Sequence, residues 1–355
     1  MSRPTSTRCG EMMAVRRALH RFLGLASVAL LAAGCSRGED RAATLMWIQS
    51  PLVTRGPHAD AIATLTWVMT IGSALIFALV LVLTALAITS GRRGRRGWMT
   101  DRRFIVWLGI VFPVVTLTAL LVYGLAVARV LVADGPAALR VEVVGERWWW
   151  RVNYLDDEGA GRLTTANEIR IPTGRPIEFV LKTTDVIHSF WVPSLAGKLD
   201  MIPGHDNVYR FSADRPGIYR GQCAEYCGAQ HALMAFYVVA MEQGAFEAWY
   251  AGQAEPAAEP QVPLAARGKA LFFENGCGAC HVVRGTPAAG RSGPDLTHVG
   301  SRLSLAAGTF PNNVGTLAGW ISSSQHLKPD NLMPSFGNLR GDELRAIAAY
   351  LESLK

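Results

Sequence analysis

The segment Cys-Ala-Glu-Tyr-Cys-Gly-Ala-Gln-His-Ala-Leu-Met, residues 223–234, is the most informative part of this chain. It places two thiols, an imidazole and a thioether within twelve residues, and His188 lies 35 residues before Cys223. Soft sulfur ligands combined with imidazole are the donor set of copper electron-transfer sites. One copper needs a single thiolate, so two cysteines with two histidines suit a pair of coppers that share both sulfurs.

Two simpler interpretations of these cysteines remain open. They could form a disulfide, or they could hold a structural zinc ion together with the two histidines. A zinc site would leave Met234 without a role, whereas a weak thioether ligand suits copper. The ligand types therefore favour a dinuclear copper site.

The pattern of His188 followed by residues 223–234 resembles that of subunit II of the haem-copper cytochrome c oxidases. The resemblance covers nearly the whole chain, from the two apolar runs described below to the last residue. The resemblance implies a dinuclear copper (CuA) centre bridged by Cys223 and Cys227. It implies four further ligands. One histidine would bind each copper (His188 and His231), and the weaker ligands would be the Met234 thioether and the Glu225 backbone carbonyl. In the family the carboxylate of this glutamate also faces a magnesium or manganese ion at the contact with subunit I.

A second motif, Cys277-Gly-Ala-Cys280-His281, has the spacing that attaches c-type haem covalently. The cysteines would form two thioether bonds, and His281 would be the proximal iron ligand. Met333 is the expected second axial ligand, because a thioether raises the potential of a His-ligated haem. Ser292–Leu296 resembles the cytochrome c segment whose proline carbonyl accepts a hydrogen bond from the ligand histidine.

Helical periodicity flanks the haem motif at Arg267–Asn275 and at Asp342–Leu354. Taken alone, Met333 would more often be a core methionine, but the haem motif before it and the proline after it favour a ligand. His298 and His326 are expected on the surface or near the haem propionates, and neither is a predicted ligand.

The N-terminal residues 1–34 have the organisation of a lipoprotein-type signal peptide, with basic residues, a short apolar run and an Ala-Ala-Gly-Cys box that ends at Cys35. Ordinary signal cleavage nearby is the alternative. Residues 35–60 would then be a periplasmic N-terminal segment. The six cysteines divide between copper, haem and leader, which leaves no disulfide framework.

Two uncharged runs, Ala61–Gly91 and Phe104–Ala128, are each long enough to span a bilayer. Residues 61–128 are therefore expected to form a transmembrane hairpin. The loop between the runs carries six arginines against one acid, Asp101, and the positive-inside rule makes such a loop cytoplasmic. The chain is thus expected in a bacterial inner membrane as a multi-pass protein, with both cofactor motifs on the periplasmic side.

Residues 134–250 show short strands separated by turn signals, which favours a cupredoxin-like β-sandwich with its ligand loops at one end. Residues 251–263 form a Pro/Ala-rich linker, and residues 264–355 an all-α class I cytochrome c domain. The expected fold is multidomain. The predicted strands are Val141–Val144, Arg147–Tyr154, Glu168–Ile171, Ile177–Leu181, Asn207–Phe211, Ile218–Gly221 and Phe236–Val239.

Three consecutive tryptophans, residues 148–150, form a further constellation. Strand alternation puts Trp148 and Trp150 on one face and Trp149 on the other. The sandwich core is the alternative for any one of them. In the family, the first tryptophan of the matching run lies at the surface and receives electrons beside copper, and that position is Trp148 here.

Charge is divided unevenly between the two expected cofactor domains. Residues 134–250 contain 15 acidic and 11 basic residues, net −4, whereas residues 264–355 contain 9 basic and 6 acidic residues, net +3. Opposite charges would favour docking of a tethered haem domain onto the copper domain. Totals this small also fit scattered surface charge.

The resemblance implies an electron-transfer role in a caa-type oxidase. Electrons would pass from an external donor, through haem c and the copper pair, to subunit I, where oxygen is reduced to water with proton translocation. The implied partners are subunits I and III, a cytochrome c or a quinol–cytochrome c reductase as donor, and the membrane, with no nucleic acid. The alternative is the electron-input subunit of a haem-copper nitric oxide reductase.

Overall fold

The computed structural model describes residues 49–89, 101–131, 136–156 and 158–355. The expected signal peptide, Cys35 and most of the arginine-rich loop lie outside the described residues.

Two long helical segments are apolar enough to cross a membrane. Helix α1 is Pro57–Thr89. The second segment consists of α2 (Arg102–Val106), a π-helical turn (Trp107–Val111) and α3 (Phe112–Leu131). It begins where the Asp101 side chain accepts a hydrogen bond from the Arg103 N–H at 2.9 Å, which caps the first turn. The apolar side chains face outwards on both segments, as expected for contact with lipid.

A β-sandwich follows, in which the described residues form ten strands. The strands are β1 Leu139–Glu146, β2 Trp149–Leu155, β3 Gly161–Ala166, β4 Glu168–Pro172, β5 Ile177–Thr183, β6 His188–Trp191, β7 Lys198–Met201, β8 Asn207–Phe211, β9 Gly217–Cys223 and β10 Ala235–Met241. One sheet has the order β3-β2-β1-β5-β8 and the other the order β4-β10-β9-β6-β7. Strand β1 runs antiparallel to β2 and parallel to β5.

Aromatic side chains fill the space between the sheets because alternate residues of each strand point inwards. The ring centroids of Trp150 and Phe236 lie 4.9 Å apart, and those of Phe190 and Phe236 lie 4.7 Å apart. All three side chains are fully buried, and burying each contributes roughly 1.5–3 kcal/mol. All seven predicted strands are confirmed, while β3, β6 and β7 were not predicted.

Helix α4, Gln243–Ala254, closes one end of the sandwich. Its Trp249 and Tyr250 rings lie 5.5 and 5.7 Å from the ring of Tyr154. The predicted linker overlaps the end of this helix, so the connecting segment begins only after Ala254. That segment is packed, since the Ala257 N–H donates to the Arg284 carbonyl at 2.9 Å.

The C-terminal part is helical around a core of its own. Its helices are α5 (Pro263–Glu274), α6 (Val314–Leu327) and α7 (Gly341–Ser353), with a short hairpin of β11 (Ser304–Leu305) and β12 (Phe310–Pro311). Helices α5 and α7 cross closely where a Cβ at Gly268 would lie only 1.9 Å from the Ala346 carbonyl oxygen. The helices predicted around residues 267–275 and 342–354 are confirmed, and α6 was not predicted.

The helical part packs directly onto the sandwich through hydrogen bonds between side chains of the sandwich and backbone groups of the helical part. The Leu303 N–H donates to Glu168 at 2.8 Å, and Arg151 donates to the Arg291 carbonyl at 2.9 Å. In the part of the chain that the structure describes, we find no ion pair between residues 134–250 and 264–355. Among these described residues, the opposite net charges of the two domains therefore do not correspond to ion pairs at the contact.

Candidate metal centres

The two cysteines of the first motif lie side by side at one end of the sandwich. Cys223 ends β9, Cys227 lies in the loop before β10, and their sulfurs are 3.8 Å apart. A disulfide would require about 2.05 Å, and both residues are free thiols. The loop turns at Gly228, whose φ of 116° is unfavourable for other residues.

Each sulfur has one imidazole beside it. The Nδ1 atom of His188 is 3.8 Å from the Cys223 sulfur, and the Nδ1 atom of His231 is 3.7 Å from the Cys227 sulfur. Strand pairing positions the first histidine, because β6 pairs with β9 so that Phe190 lies opposite Cys223. His188, Cys223 and Cys227 form a buried group whose ligand atoms all lie within 4.8 Å of one another.

Two weaker donors complete the cluster. The Met234 sulfur is 3.9 Å from the Cys227 sulfur, and the Glu225 carbonyl oxygen is 3.2 Å from the Cys223 sulfur. The cluster thus brings together two thiols, two imidazoles, a thioether and a carbonyl. A four-coordinate zinc site would leave two of these donors unused, whereas soft sulfur with imidazole and a weak axial ligand suits copper. The residues fit a copper pair.

A carboxylate that the sequence analysis missed holds His188 in place. The Nε2 atom of His188 is 2.9 Å from Asp185 Oδ1, which leaves Nδ1 facing the sulfurs. Asp185 is itself fixed by the backbone N–H groups of Arg147 and Val186 at 2.8 and 2.7 Å. Gly145 leaves room for the ring, since a Cβ there would lie 2.8 Å from the His188 Cδ2 atom. Such a partner fixes a metal-ligating histidine and makes it a stronger donor.

The two thiols shift each other's pKa in opposite directions. The neighbouring Cys227 thiol lowers the pKa of Cys223, and in return Cys223 raises the pKa of Cys227. Burial opposes a positive charge on His188, but its hydrogen bonds with Cys223 and Asp185 outweigh burial and raise its pKa. Metal binding must displace protons from such a site, so metal affinity should increase with pH.

The residues of the second motif line a cavity of about 500 Å³. Cys277 and Cys280 bracket a 3₁₀ turn after α5, and His281 follows. His281 Nδ1 is 2.8 Å from the Pro294 carbonyl oxygen, so the predicted contact with this segment is confirmed. Burial lowers the pKa of His281, which favours the neutral imidazole that iron requires.

Met333 lines the same cavity on a loop after α6. Its backbone N–H donates to Asn331 at 2.8 Å, and its carbonyl accepts hydrogen bonds from Ser324 and Gln325 at 2.9 and 2.7 Å. The remaining walls are largely apolar, with Leu317, Trp320, Ile321, Phe336 and Leu351 among the lining residues. The residues fit a flat apolar macrocycle with one imidazole and one thioether ligand.

The sandwich also contributes to this cavity, through Arg147, Trp148, Trp149 and others. Trp148 is only 8% exposed, and its Nε1–H donates to the Cys227 carbonyl at 2.9 Å. The expected surface position of Trp148 is therefore wrong for this chain: the side chain belongs to the buried cluster of the sandwich, which was the alternative, and it also lines the cavity. The predicted alternation is confirmed for the two tryptophans that lie in β2, since Trp150 is fully buried and Trp149 is half-buried beneath the Arg151 guanidinium. Trp148 lies in the turn between β1 and β2, not in a strand.

Two further residues depart from the sequence analysis. His298 is buried rather than on the surface, and its ring nitrogens lie 3.1 and 3.0 Å from the carbonyls of Lys355 and Glu255. It joins the C-terminus to the connecting segment. Lys328, which no motif marks, is 2% exposed between the sandwich and the helical part, and burial lowers its pKa to about 7. His326 is exposed as expected.

Comparison with known proteins gives two family matches. Residues 151–241 match the family "Cytochrome C oxidase subunit II, periplasmic domain", and residues 265–355 match the family "Cytochrome c". Cytochrome c oxidase subunit 2 of Bacillus subtilis (strain 168) is 31% identical over 359 residues, which cover 94% of this chain and 97% of the relative.

Two further similarities cover less of the chain. Cytochrome c oxidase subunit 2 of Alkalihalophilus pseudofirmus is 40% identical over 221 residues, 62% of this chain and 63% of the relative. This chain thus matches less than two thirds of that protein's length. The crystal structure of the periplasmic domain of subunit II of cytochrome oxidase (CoxB) of Bradyrhizobium japonicum aligns at 29% identity with a TM-score of 0.32, over 34% of this chain and 96% of that one.

Proposed function

The chain belongs to the family of cytochrome c oxidase subunit II, and from this premise we propose that it passes electrons from an external donor to subunit I of an oxidase. Its C-terminal part is a cytochrome c domain. The subunit II domain implies a CuA centre and the cytochrome c domain implies haem. Membership of the family also implies association with subunit I in a membrane complex.

One observation carries the proposal: Trp148 lies between the two candidate centres. Its side chain lines the cavity that contains Cys277, Cys280 and His281, and its indole N–H binds the carbonyl of Cys227. A single side chain therefore joins the cavity wall to a proposed copper ligand. We assign Trp148 as the residue through which electrons reach the copper site. Its place on the wall of the cavity that contains the haem-attachment motif favours delivery from within the same chain.

For the copper site we propose that Cys223 and Cys227 would hold the copper pair through their sulfurs. His188, His231, Met234 and the Glu225 carbonyl would complete the ligand set. For the haem we propose thioether bonds to Cys277 and Cys280, with His281 and Met333 as the side chains that would bind the iron. When bound, the two groups supply one-electron transfer, and the chain fixes their ligands and excludes water from them. Both cysteines and Met234 are buried, which supports such a role. The buried surroundings of a metal site limit the access of solvent to the metal.

The remaining partners follow from the family rather than from the geometry. We propose that the Glu225 carboxylate reaches a magnesium or manganese ion at the contact with subunit I. We also propose association with subunit III, and a cytochrome c or a quinol–cytochrome c reductase as donor. Oxygen reduction and proton translocation would take place in subunit I.

Family membership and the two apolar helices place the chain in the inner membrane with periplasmic domains. We propose a transmembrane hairpin at residues 61–128, a copper domain at 134–250, a linker at 251–263 and a haem domain at 264–355. We further propose that residues 1–34 are removed as a signal peptide and that 35–60 precede the hairpin in the periplasm.

The function is tested on the purified complex of this chain with its oxidase partners. Oxygen uptake and nitric oxide consumption are measured with reduced cytochrome c as the donor. We expect rapid oxygen uptake and slow nitric oxide consumption. Rapid nitric oxide consumption without oxygen uptake would contradict the proposal and indicate a nitric oxide reductase.

A further inference from the structure

The ammonium group of Lys328 is buried between the two cofactor domains and donates to three backbone carbonyls. Its Nζ atom is 2.9 Å from the Leu233 oxygen, 3.4 Å from the Trp148 oxygen and 3.1 Å from the Ala306 oxygen. The first two carbonyls belong to the copper domain and the third to the haem domain. Burial of an ammonium is unfavourable unless its donors are bound, so both domains together create this site.

A second side chain makes the reciprocal contact. Gln230, which is 1% exposed, donates from Nε2 to the Lys328 carbonyl at 3.1 Å and also to the Pro329 carbonyl. The side chain of Lys328 thus binds the copper-domain backbone, and the side chain of Gln230 binds the haem-domain backbone. We call these two residues the interdomain bracket.

Both members of the bracket are close in sequence to proposed ligands. Gln230 directly precedes His231, and the Leu233 carbonyl bound by Lys328 directly precedes Met234. On the haem side, the Lys328 carbonyl also accepts a hydrogen bond from the Asn331 amide at 2.6 Å. The oxygen of the same Asn331 side chain accepts the Met333 N–H at 2.8 Å. Hydrogen bonds therefore run from Gln230 to the loop of the proposed axial methionine.

We propose that the interdomain bracket holds the haem domain in the position from which it transfers electrons to the copper domain of the same chain. This inference rests on the proposed function. Lys328 and Gln230 are positioning residues, since neither is a proposed ligand. If the bracket is removed, the haem domain stays tethered by the linker but must redock before each transfer. Redocking would then limit the rate.

The test uses the full-length chain with both cofactors and the variant Lys328→Met, whose side chain is of similar length but has no charge and no donor. The rate of copper reduction is measured after flash reduction of the haem. We expect at least about a tenfold lower rate, as for the loss of charge-assisted buried hydrogen bonds. The rate should also become dependent on solvent viscosity, which a role confined to folding would not cause. The absorption spectrum of the haem and the resonance signal of the copper pair should be unchanged.

The matched control is Lys355→Met, because the Lys355 side chain is 63% exposed in the same domain. It should transfer electrons at the wild-type rate. If Lys328→Met transfers electrons at the wild-type rate, and if that rate does not depend on solvent viscosity, the proposed role of the interdomain bracket is wrong. Absence of internal transfer in the wild-type chain would instead contradict the proposed function, so the two failures are distinguishable.

A second measurement needs no folded Lys328 variant. Reductive methylation of the wild-type protein, read by mass spectrometry, should modify Lys355 rapidly and leave Lys328 protected. In Gln230→Met the protection of Lys328 should decrease while Lys355 is unaffected. Equal modification of both lysines in the wild-type protein would contradict the bracket.

Discussion

The indole Nε1–H of Trp148 donates a 2.9 Å hydrogen bond to the carbonyl oxygen of Cys227. The same ring lines the cavity that contains the haem-attachment motif. Gly228, which follows Cys227 and has no Cβ, leaves room for the Trp148 ring at this contact. A Cβ at that position would lie 3.0 Å from the Trp148 ring. One hydrogen bond therefore joins the proposed haem site to a proposed copper ligand.

Replacement of a bridging sulfur should remove the copper pair and leave the haem in place. In Cys227→Ser the soft thiolate becomes a hydroxyl, which binds copper poorly. The haem domain has a separate core, so its spectrum should not change. Electron paramagnetic resonance and the visible spectrum of one sample provide the measurement and its control. A mixed-valence copper signal with normal hyperfine splitting would show that Cys227 is not a bridging ligand.

Loss of the proposed axial thioether should change the haem and not the copper. In Met333→Ala we expect a high-spin or His/water-ligated haem with a lower reduction potential, because a thioether ligand raises that potential. Redox titration and the absorption spectrum measure both effects. Met241→Ala, at the end of β10 and away from the cavity, is the matched control. A sulfur-to-iron absorption band that persists in Met333→Ala would assign the ligand to another residue.

The carboxylate behind His188 should matter for copper affinity. In Asp185→Asn the charged partner of His188 Nε2 becomes neutral, and we expect copper affinity to fall by about 10–100-fold. Competition with a copper chelator measures the change. Asp206→Asn is the control, since Asp206 is 60% exposed and pairs with Lys182. Equal affinities of the two variants would limit Asp185 to a structural role.

Salt should have little effect on transfer between the two domains. Charged side chains such as Arg151 and Lys328 bind backbone carbonyls across the contact. Raising the salt concentration to roughly 1 M shortens the Debye length to about 3 Å and screens net charges. The internal rate should change by less than about twofold, whereas the reaction with an external donor should change more. A steep decrease of the internal rate with salt would show that the opposite net charges hold the domains together.

The candidate ligands could be predicted because they lie in short motifs, and the opposite faces of Trp149 and Trp150 because strand periodicity is local. Strand β6 was missed because it has four residues and begins with the buried polar pair His188 and Ser189. Helix α6 was missed because Gly315, Gly319 and three consecutive serines have low helix propensity. Tertiary packing stabilises both elements.

The parts of the site that join domains could not be predicted. No periodicity marks Lys328 or Gln230, because their partners in the other domain are backbone carbonyls 95 or more residues away. The position of Trp148 on the wall of the haem-motif cavity likewise depends on where the helical domain docks, which local patterns do not specify. Asp185 had a signal that was overlooked, since a carboxylate three residues before a proposed ligand histidine is a natural partner for its second ring nitrogen.

The most direct test of the central claim is flash reduction of the haem in the purified full-length chain, with copper reduction followed at several protein concentrations. The claim requires a rate that does not depend on concentration. The rate should fall in Trp148→Phe, which loses the hydrogen bond to Cys227, while both cofactor spectra stay unchanged. Trp249→Phe, in α4 and away from the cavity, should behave as wild type. The claim would be contradicted if the rate were proportional to protein concentration and were the same in Trp148→Phe as in the wild-type chain. Electrons would then not pass within one chain through Trp148.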